Sequence, residues 1–229
     1  MHPQPRQGYY VTGTDTGVGK TFACVALLHA LRAGGRTAVG MKPVASGCTV
    51  TRDGLRNDDA LALQAASSPM PAYDLVNPFA LPEPTAPQIA AALAGVSVLL
   101  PPMLAAYQSL ALLADTVVVE GVGGWLAPFA DGLDQSRFAK AVGLPVILVV
   151  GMRLGCLSHA RLAERAIRED GLALAGWIGS AVDAGFEHAF EYQALLCREI
   201  SAPCLGLLAH VPDGDASRAA ATLRLPEAG

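Results

Sequence analysis

The segment Gly13-Thr14-Asp15-Thr16-Gly17-Val18-Gly19-Lys20-Thr21 sets three glycines ahead of a lysine and a threonine, the residue types that cradle phosphates. Successive backbone N–H groups from Gly13 to Gly19, joined by the N-terminus of a following helix, would surround phosphate oxygens. Lys20 would neutralise the outer oxygens, and the Thr21 hydroxyl would face a Mg²⁺ ion. Five residues separate Gly13 from Gly19, one more than the usual spacing, so the loop is a variant.

Glu120 follows the continuous β-branched run Thr116-Val117-Val118-Val119. A carboxylate at the C-terminal tip of a buried strand can sit beside a phosphate loop and hold Mg²⁺; a solvated acid that merely ends a strand gives the same pattern. Asp58 and Asp59 open a helical stretch, where an N-cap and a first-turn charge are the ordinary roles and one of the two is expected to fill them. Lys42 closes a β-prone run near the same edge, so its ammonium could stabilise charge on a transferred phosphoryl group, or it could be an ordinary solvated lysine. The five histidines show no HExxH or other ligand spacing, and no Ser-His-Asp or Cys-His arrangement stands out, which leaves zinc and hydrolase readings weak.

The elements that would position these groups follow from periodicity. Tyr9–Thr12 reads as a strand and Thr21–Arg32 as a helix whose apolar residues recur at helical spacing, stopped by Gly34-Gly35. Further strands are expected at Thr37–Met41, Thr116–Val119, Pro145–Val150, Leu174–Val182 and Cys204–Ala209. Helices are expected at Asp58–Ala66, Gln88–Ala94, Met103–Ala114, Ser158–Glu169 and Glu187–Ile200. Gly121–Trp125 reads as a tight loop, the proline-rich stretch Ser67–Pro102 as an excursion over the site, and the tail from Asp213 carries no signal. Alternation of β and α predicts an α/β fold: a doubly wound, mainly parallel sheet with helices on both faces, of P-loop NTPase type, with 1–229 as one domain.

Composition narrows the partners. A chain of 229 residues, 52% hydrophobic, is long enough for such a core. A net charge of −4 gives no electrostatic reason to attract nucleic acid or anionic lipid. Its mean hydropathy of +0.38 comes from short buried elements, and no apolar run is long enough to span a bilayer or to act as a leader. Five scattered cysteines without a CxxC pair suit reduced thiols and a cytoplasmic location.

YVTGTDTGVGKT, MKPVASG, GLRNDDALAL, VNPF with EPTAPQIAA, VVVEGVGGWLAPF, LPVILVVGMRLGCLSHA and LAGW occur in this order, and together they resemble the dethiobiotin synthetase family from Tyr10 to about Trp177. The phosphate loop alone is shared with partition ATPases and cobyrinate amidoligases; KPVASG, VEGVGGW and LGCLSHA are far more specific.

The resemblance implies a homodimer that joins CO₂ to 7,8-diaminopelargonate with ATP and Mg²⁺, giving dethiobiotin, ADP and phosphate. It implies that Lys20 and Lys42 flank the transferring phosphoryl group, that Thr21, Asp59 and Glu120 hold Mg²⁺ directly or through water, and that Thr16 and Ser46 line the reaction site, with Gly123 beside the nucleotide. Gly155, Cys156, Leu157 and Ser158 would receive the substrate carboxylate across the dimer interface, joined by Tyr192.

Three positions depart from the family pattern: Gly17 where some members have Glu, Ser158 where some have Asn, and Ser180 where members often carry the Asn that reads adenine. Ser180 implies weaker base discrimination, unless backbone near Leu207–Val211 reads the base instead. A partition-type switch would need a signature lysine near Gly13, which is absent, and a cobyrinate-type amidoligase an attached amidotransferase domain, for which the chain is too short.

Overall fold

A computed structural model of the protein describes residues 8–183, 185–209 and 215–226. The stretch before Gly8, Asp213 and Val211 lie outside the described residues.

Six strands form the central sheet: β1 (Gly8–Gly13), β2 (Ala38–Met41), β3 (Thr116–Gly124), β4 (Val146–Gly151), β5 (Leu174–Ser180) and β6 (Cys204–Leu208), in the order β6-β5-β4-β1-β3-β2. Every adjacent pair is parallel. Both faces are covered, which is why β1 and β4 are buried at every position and read as unbroken apolar runs. Side chains alternate across the sheet. Val117 and Val119 join Tyr10 and Val39 on one face, with Tyr107 and Phe138, while Val118 and Val11 join Leu27, Leu28 and Leu63 on the other.

The helices are α1 (Lys20–Ala33), α2 (Asp58–Ala66), α3 (Tyr73–Val76), α4 (Pro87–Ala94), α5 (Leu100–Leu113), α6 (Gln135–Val142), α7 (Cys156–Glu169), α8 (Ala189–Glu199) and α9 (Ala216–Ala220). From β1 the chain winds to β2 and β3 on one side, then crosses to β4, β5 and β6 on the other. The order reverses at β1, and the carboxyl ends of β1 and its neighbours open there into a crevice of the kind that takes ligands.

Several elements differ from those expected from the sequence. β3 does not stop at Val119 but runs on through Gly124, so Glu120 lies inside the strand and, of the expected loop Gly121–Trp125, only Trp125 stands in the turn that follows. α5 begins at Leu100 and takes Pro101 and Pro102 into its first turn, where a missing N–H costs nothing. α6 and α3 have no counterpart in the reading. The N-cap of α2 is Asn57, whose side chain accepts from the Ala60 N–H (3.2 Å); Asp58 and Asp59 both fall in the first turn. The tail is not idle either, because Ala216 and Ala219 of α9 are buried in the same core cluster as Leu27 and Leu31 of α1. The proline-rich excursion flanks one wall of the crevice. Residues 79–83 pair along 43–48, with Cys48 N–H donating to Leu81 O (2.9 Å) and Gly47 N–H to Glu83 O (3.0 Å).

Candidate active site

The glycine-rich loop leaves the C-terminal end of β1 and turns directly into α1. Thr14 N–H still pairs with Val149 O of β4 (2.9 Å), so the loop starts from the centre of the sheet. Val18 is fully buried and anchors the loop to the core beneath it. Gly19, the N-cap of α1, has φ 81°, a left-handed conformation that favours glycine. A Cβ there would also meet the Ser180 hydroxyl at 2.5 Å. Lys20, 7% exposed, donates to the Asp15 carbonyl (2.9 Å). Burial lowers its ammonium to about 8, against the opposing pull of Glu120. Phosphate oxygens placed against Lys20 would favour the charged form again.

Opposite the loop, three elements converge. Lys42, just past β2, donates to Asp59 Oδ2 of α2 (2.8 Å) and Glu120 Oε1 of β3 (2.5 Å). Thr21 of α1 donates to the same Glu120 oxygen (2.9 Å), and its hydroxyl also reaches Asp59. The strand register explains the meeting: Glu120 lies level with Val11 on β1, on the sheet face that α1 and α2 cover. Burial works against the Lys42 charge, but the two carboxylates outweigh it and hold the ammonium above its ordinary value. Asp59 is lowered although burial opposes this, because Lys42 charges against it and bonds to it. Burial pushes Glu120 up, with Lys42 pulling the other way.

Glu120 Oε2 is buried with no hydrogen-bond partner. A fully buried carboxylate oxygen left unpaired beside a hydroxyl and a second carboxylate is the donor set a hard divalent cation takes. The set holds two carboxylates and a hydroxyl; among the described residues no group of three or more His, Cys, Asp or Glu gathers as a metal site. The crevice, about 460 Å³, is bounded by the loop from Thr16 to Thr21, by Lys42, Ser46, Asn57, Asp59 and Glu120, and by Gly123.

Two residues that shape this site escaped the sequence reading. Gln135, the fully buried first residue of α6, accepts at Oε1 from Val122 N–H (3.0 Å) and Tyr10 OH (3.2 Å), and donates from Nε2 to Val122 O (2.8 Å) and Gly124 O. It therefore clamps the end of β3 that carries Gly123. A side chain at Gly121 would collide with its amide, a Cβ falling 2.1 Å from Oε1. The spacing of Phe138, Ala139 and Val142 could have revealed α6, yet nothing in the sequence aims Gln135 at Val122. Arg153, between β4 and α7, donates to Asp15 Oδ2 (2.5 Å), a contact across 138 positions that local pattern does not carry.

Ser180 ends β5, nearly buried, with its hydroxyl turned toward Gly19. Gly155 is the N-cap of α7, so Gly155, Cys156, Leu157 and Ser158 form a helix entry as expected. The Cys156 N–H is already committed to Arg153 O (3.1 Å), which leaves the other N–H groups of that turn for an anion. Tyr192 of α8 packs its ring against Phe186 at 4.8 Å, in the cluster that holds Cys156 and Leu157. These residues stand outside the crevice. A wider groove of about 870 Å³ runs along α7, but Arg161 pairs with Glu199 and Arg165 with Glu169, so its charges are largely matched within it.

Residues 7–218 match the family model described as "AAA domain". A chain of the MinC:MinD cell division protein complex of Aquifex aeolicus superimposes with a TM-score of 0.58 over 93% of this chain and 86% of that one. At 13% identity it shares the fold alone. The ATP-dependent dethiobiotin synthetase of Xylella fastidiosa (strain 9a5c) is 56% identical over 90% of this chain and 91% of its own. That of Xanthomonas oryzae pv. oryzae (strain PXO99A) is 55% identical over 95% of this chain and 97% of its own, and on that likeness the chain belongs to the ATP-dependent dethiobiotin synthetase family.

Proposed function

We propose that this chain closes the ureido ring of dethiobiotin, joining CO₂ to 7,8-diaminopelargonate with release of ADP and phosphate from ATP. The observation that carries the reading is the convergence of Lys20, Lys42, Thr21, Asp59 and Glu120 on one crevice, in a chain of this family. One amine captures CO₂ as a carbamate, a carbamate oxygen attacks the γ-phosphorus, and the second amine displaces phosphate to close the ring.

The loop between Gly13 and Lys20 holds the phosphates through backbone N–H groups other than those of Thr14 and Thr16, which are bonded within the protein. Lys42, kept charged by two carboxylates, serves as a fixed positive charge rather than as a base. Lys20 faces it from α1. Mg²⁺, when bound, supplies charge neutralisation for the transferring phosphoryl group. Thr21, Asp59 and Glu120, whose Oε2 has no hydrogen-bond partner, would hold it directly or through water. Thr16 and Ser46 line the reacting end. Ser180 offers one short hydroxyl to the base, and that hydroxyl is turned toward Gly19; base discrimination is accordingly weak.

The working unit is a homodimer of single-domain chains, 1–229, in the cytoplasm, with Gly155, Leu157, Ser158 and Tyr192 of one chain receiving the carboxylate of the substrate reacting in the other. Exposed Leu126 and Leu162 border a hollow beside Gly13 and Thr14, and Leu154 is exposed nearby, an apolar face suited to a second copy. No helix among the described residues is long and apolar enough to cross a membrane.

The test is incubation of the protein with diaminopelargonate, bicarbonate, Mg²⁺ and ATP, with dethiobiotin read by mass and phosphate release followed in parallel. Dethiobiotin forms, and release needs both the diamine and bicarbonate. Phosphate release indifferent to both would instead mark a nucleotide switch and end the proposal.

A further inference from the structure

Asp15 is an anion built into a loop whose task is to hold anions. Its carbonyl anchors Lys20 (2.9 Å) and its Oδ1 accepts from the Thr16 N–H (2.7 Å), so the residue shapes the loop. Its carboxylate nevertheless stands next to the crevice where a polyanion must settle. The Arg153 guanidinium reaches it at 2.5 Å from the turn that precedes α7. The two side chains are 48% and 40% exposed. Solvent screens a pair of that kind, and it contributes little to folding. Stability is therefore a poor reason for the contact, whereas the settling of a multiply charged phosphate chain on the same loop is a good one.

We propose that Arg153 is a positioning residue for the nucleotide: it cancels the Asp15 charge, so that the loop keeps the shape Asp15 gives it while Lys20 and the backbone N–H groups face the phosphates unopposed. Without Arg153 the carboxylate repels ATP and ADP alike. The inference rests on the nucleotide-binding part of the proposed function and not on ring closure.

Calorimetric binding of ATP and of ADP to the purified chain, at low and at high salt, tests it without reference to turnover. Arg153→Met weakens both nucleotides about tenfold at low salt and less at high salt, while Arg153→Lys holds most of the affinity and neither shifts Tm. Adding Asp15→Asn to Arg153→Met recovers affinity to within about twofold of the parent, because the neutral amide still offers an oxygen to the Thr16 N–H and no longer repels phosphate. Parental binding by Arg153→Met would overturn the inference. A double variant as weak as Arg153→Met alone would overturn it too, since it would mean that the pair acts as a tether. If the parent binds nucleotide but forms no dethiobiotin, the ring-closure reading fails while these arms remain readable; if it forms dethiobiotin and Arg153→Met binds normally, only this inference fails.

Discussion

Lys20 is buried yet lines the crevice, its ammonium held at the base of the loop by the Asp15 carbonyl. In the proposed reaction it counters charge on the oxygens between the β and γ phosphates. Lys20→Ala therefore lowers turnover about a thousandfold or more while Tm changes little; near-normal rates would remove the phosphate loop from the mechanism. Glu120→Gln tests the metal reading, because it neutralises the oxygen that has no partner. The Mg²⁺ concentration for half-maximal rate rises sharply, Asp59→Asn behaves alike, and the exposed Asp58→Asn titrates as the parent does. Glu120→Gln also leaves Lys42 facing an amide, a loss of about 1–3 kcal/mol of stability. A Mg²⁺ titration identical in all three variants would reduce Glu120 to a structural partner of Lys42.

At the scale of elements, the end of β3 is held from outside the sheet. Replacing Gln135 by Leu leaves the half-buried Val122 N–H and carbonyl and the buried Tyr10 hydroxyl without their partner. The cost is about 3 kcal/mol, or about 10 °C in Tm. Because Gly123 moves with that segment, the KM for ATP rises too, and Gln135→Glu, which cannot donate to the two carbonyls, fails in the same way. A Leu variant with parental Tm and KM would show that β3 holds itself.

Asp170, after α7, receives Trp125 Nε1 (2.8 Å) from the end of β3 and Lys140 Nζ (2.5 Å) from α6. Burial raises its carboxyl, but these two donors win and hold it below its ordinary value. A carboxyl depressed in the folded state contributes stability that is present above its unfolded pKa, about 4, and is lost as pH falls through the lower folded value. Asp170→Asn is accordingly less stable than the parent at neutral pH, and the gap closes below about pH 4 in pH-dependent thermal unfolding. A gap that stayed constant with pH would assign the effect to packing.

For the whole molecule, the proposed completion of each site by a second copy would make activity depend on concentration. Rate per chain falls on dilution below the dimer dissociation constant, and mixing Lys20→Ala with a Tyr192 variant restores some activity through hybrid dimers. A monomer by light scattering that retains full activity would refute the shared site. Five parallel strand pairings hold the crevice of each chain; the proposed second copy adds only the carboxylate end of the substrate site.

Sequence alone determined what is local. The spacing of Gly13, Gly19 and Lys20 between a strand and a helix is a short-range requirement of backbone N–H geometry, and the run Val117–Val119 before Glu120 reflects burial on both faces of a sheet. The fold class followed from the same alternation. Spacing allowed Lys42, Asp59 and Glu120 each to be a solvated charge, and only the family resemblance set them at one site; tertiary structure decided that Lys42 bonds to both carboxylates. It also decided that Asn57 rather than an aspartate caps α2, that Gln135 clamps Val122, and that Arg153 answers Asp15. Contacts between distant positions depend on sheet order and register, which set which strand ends lie together, and no window of a few residues encodes them.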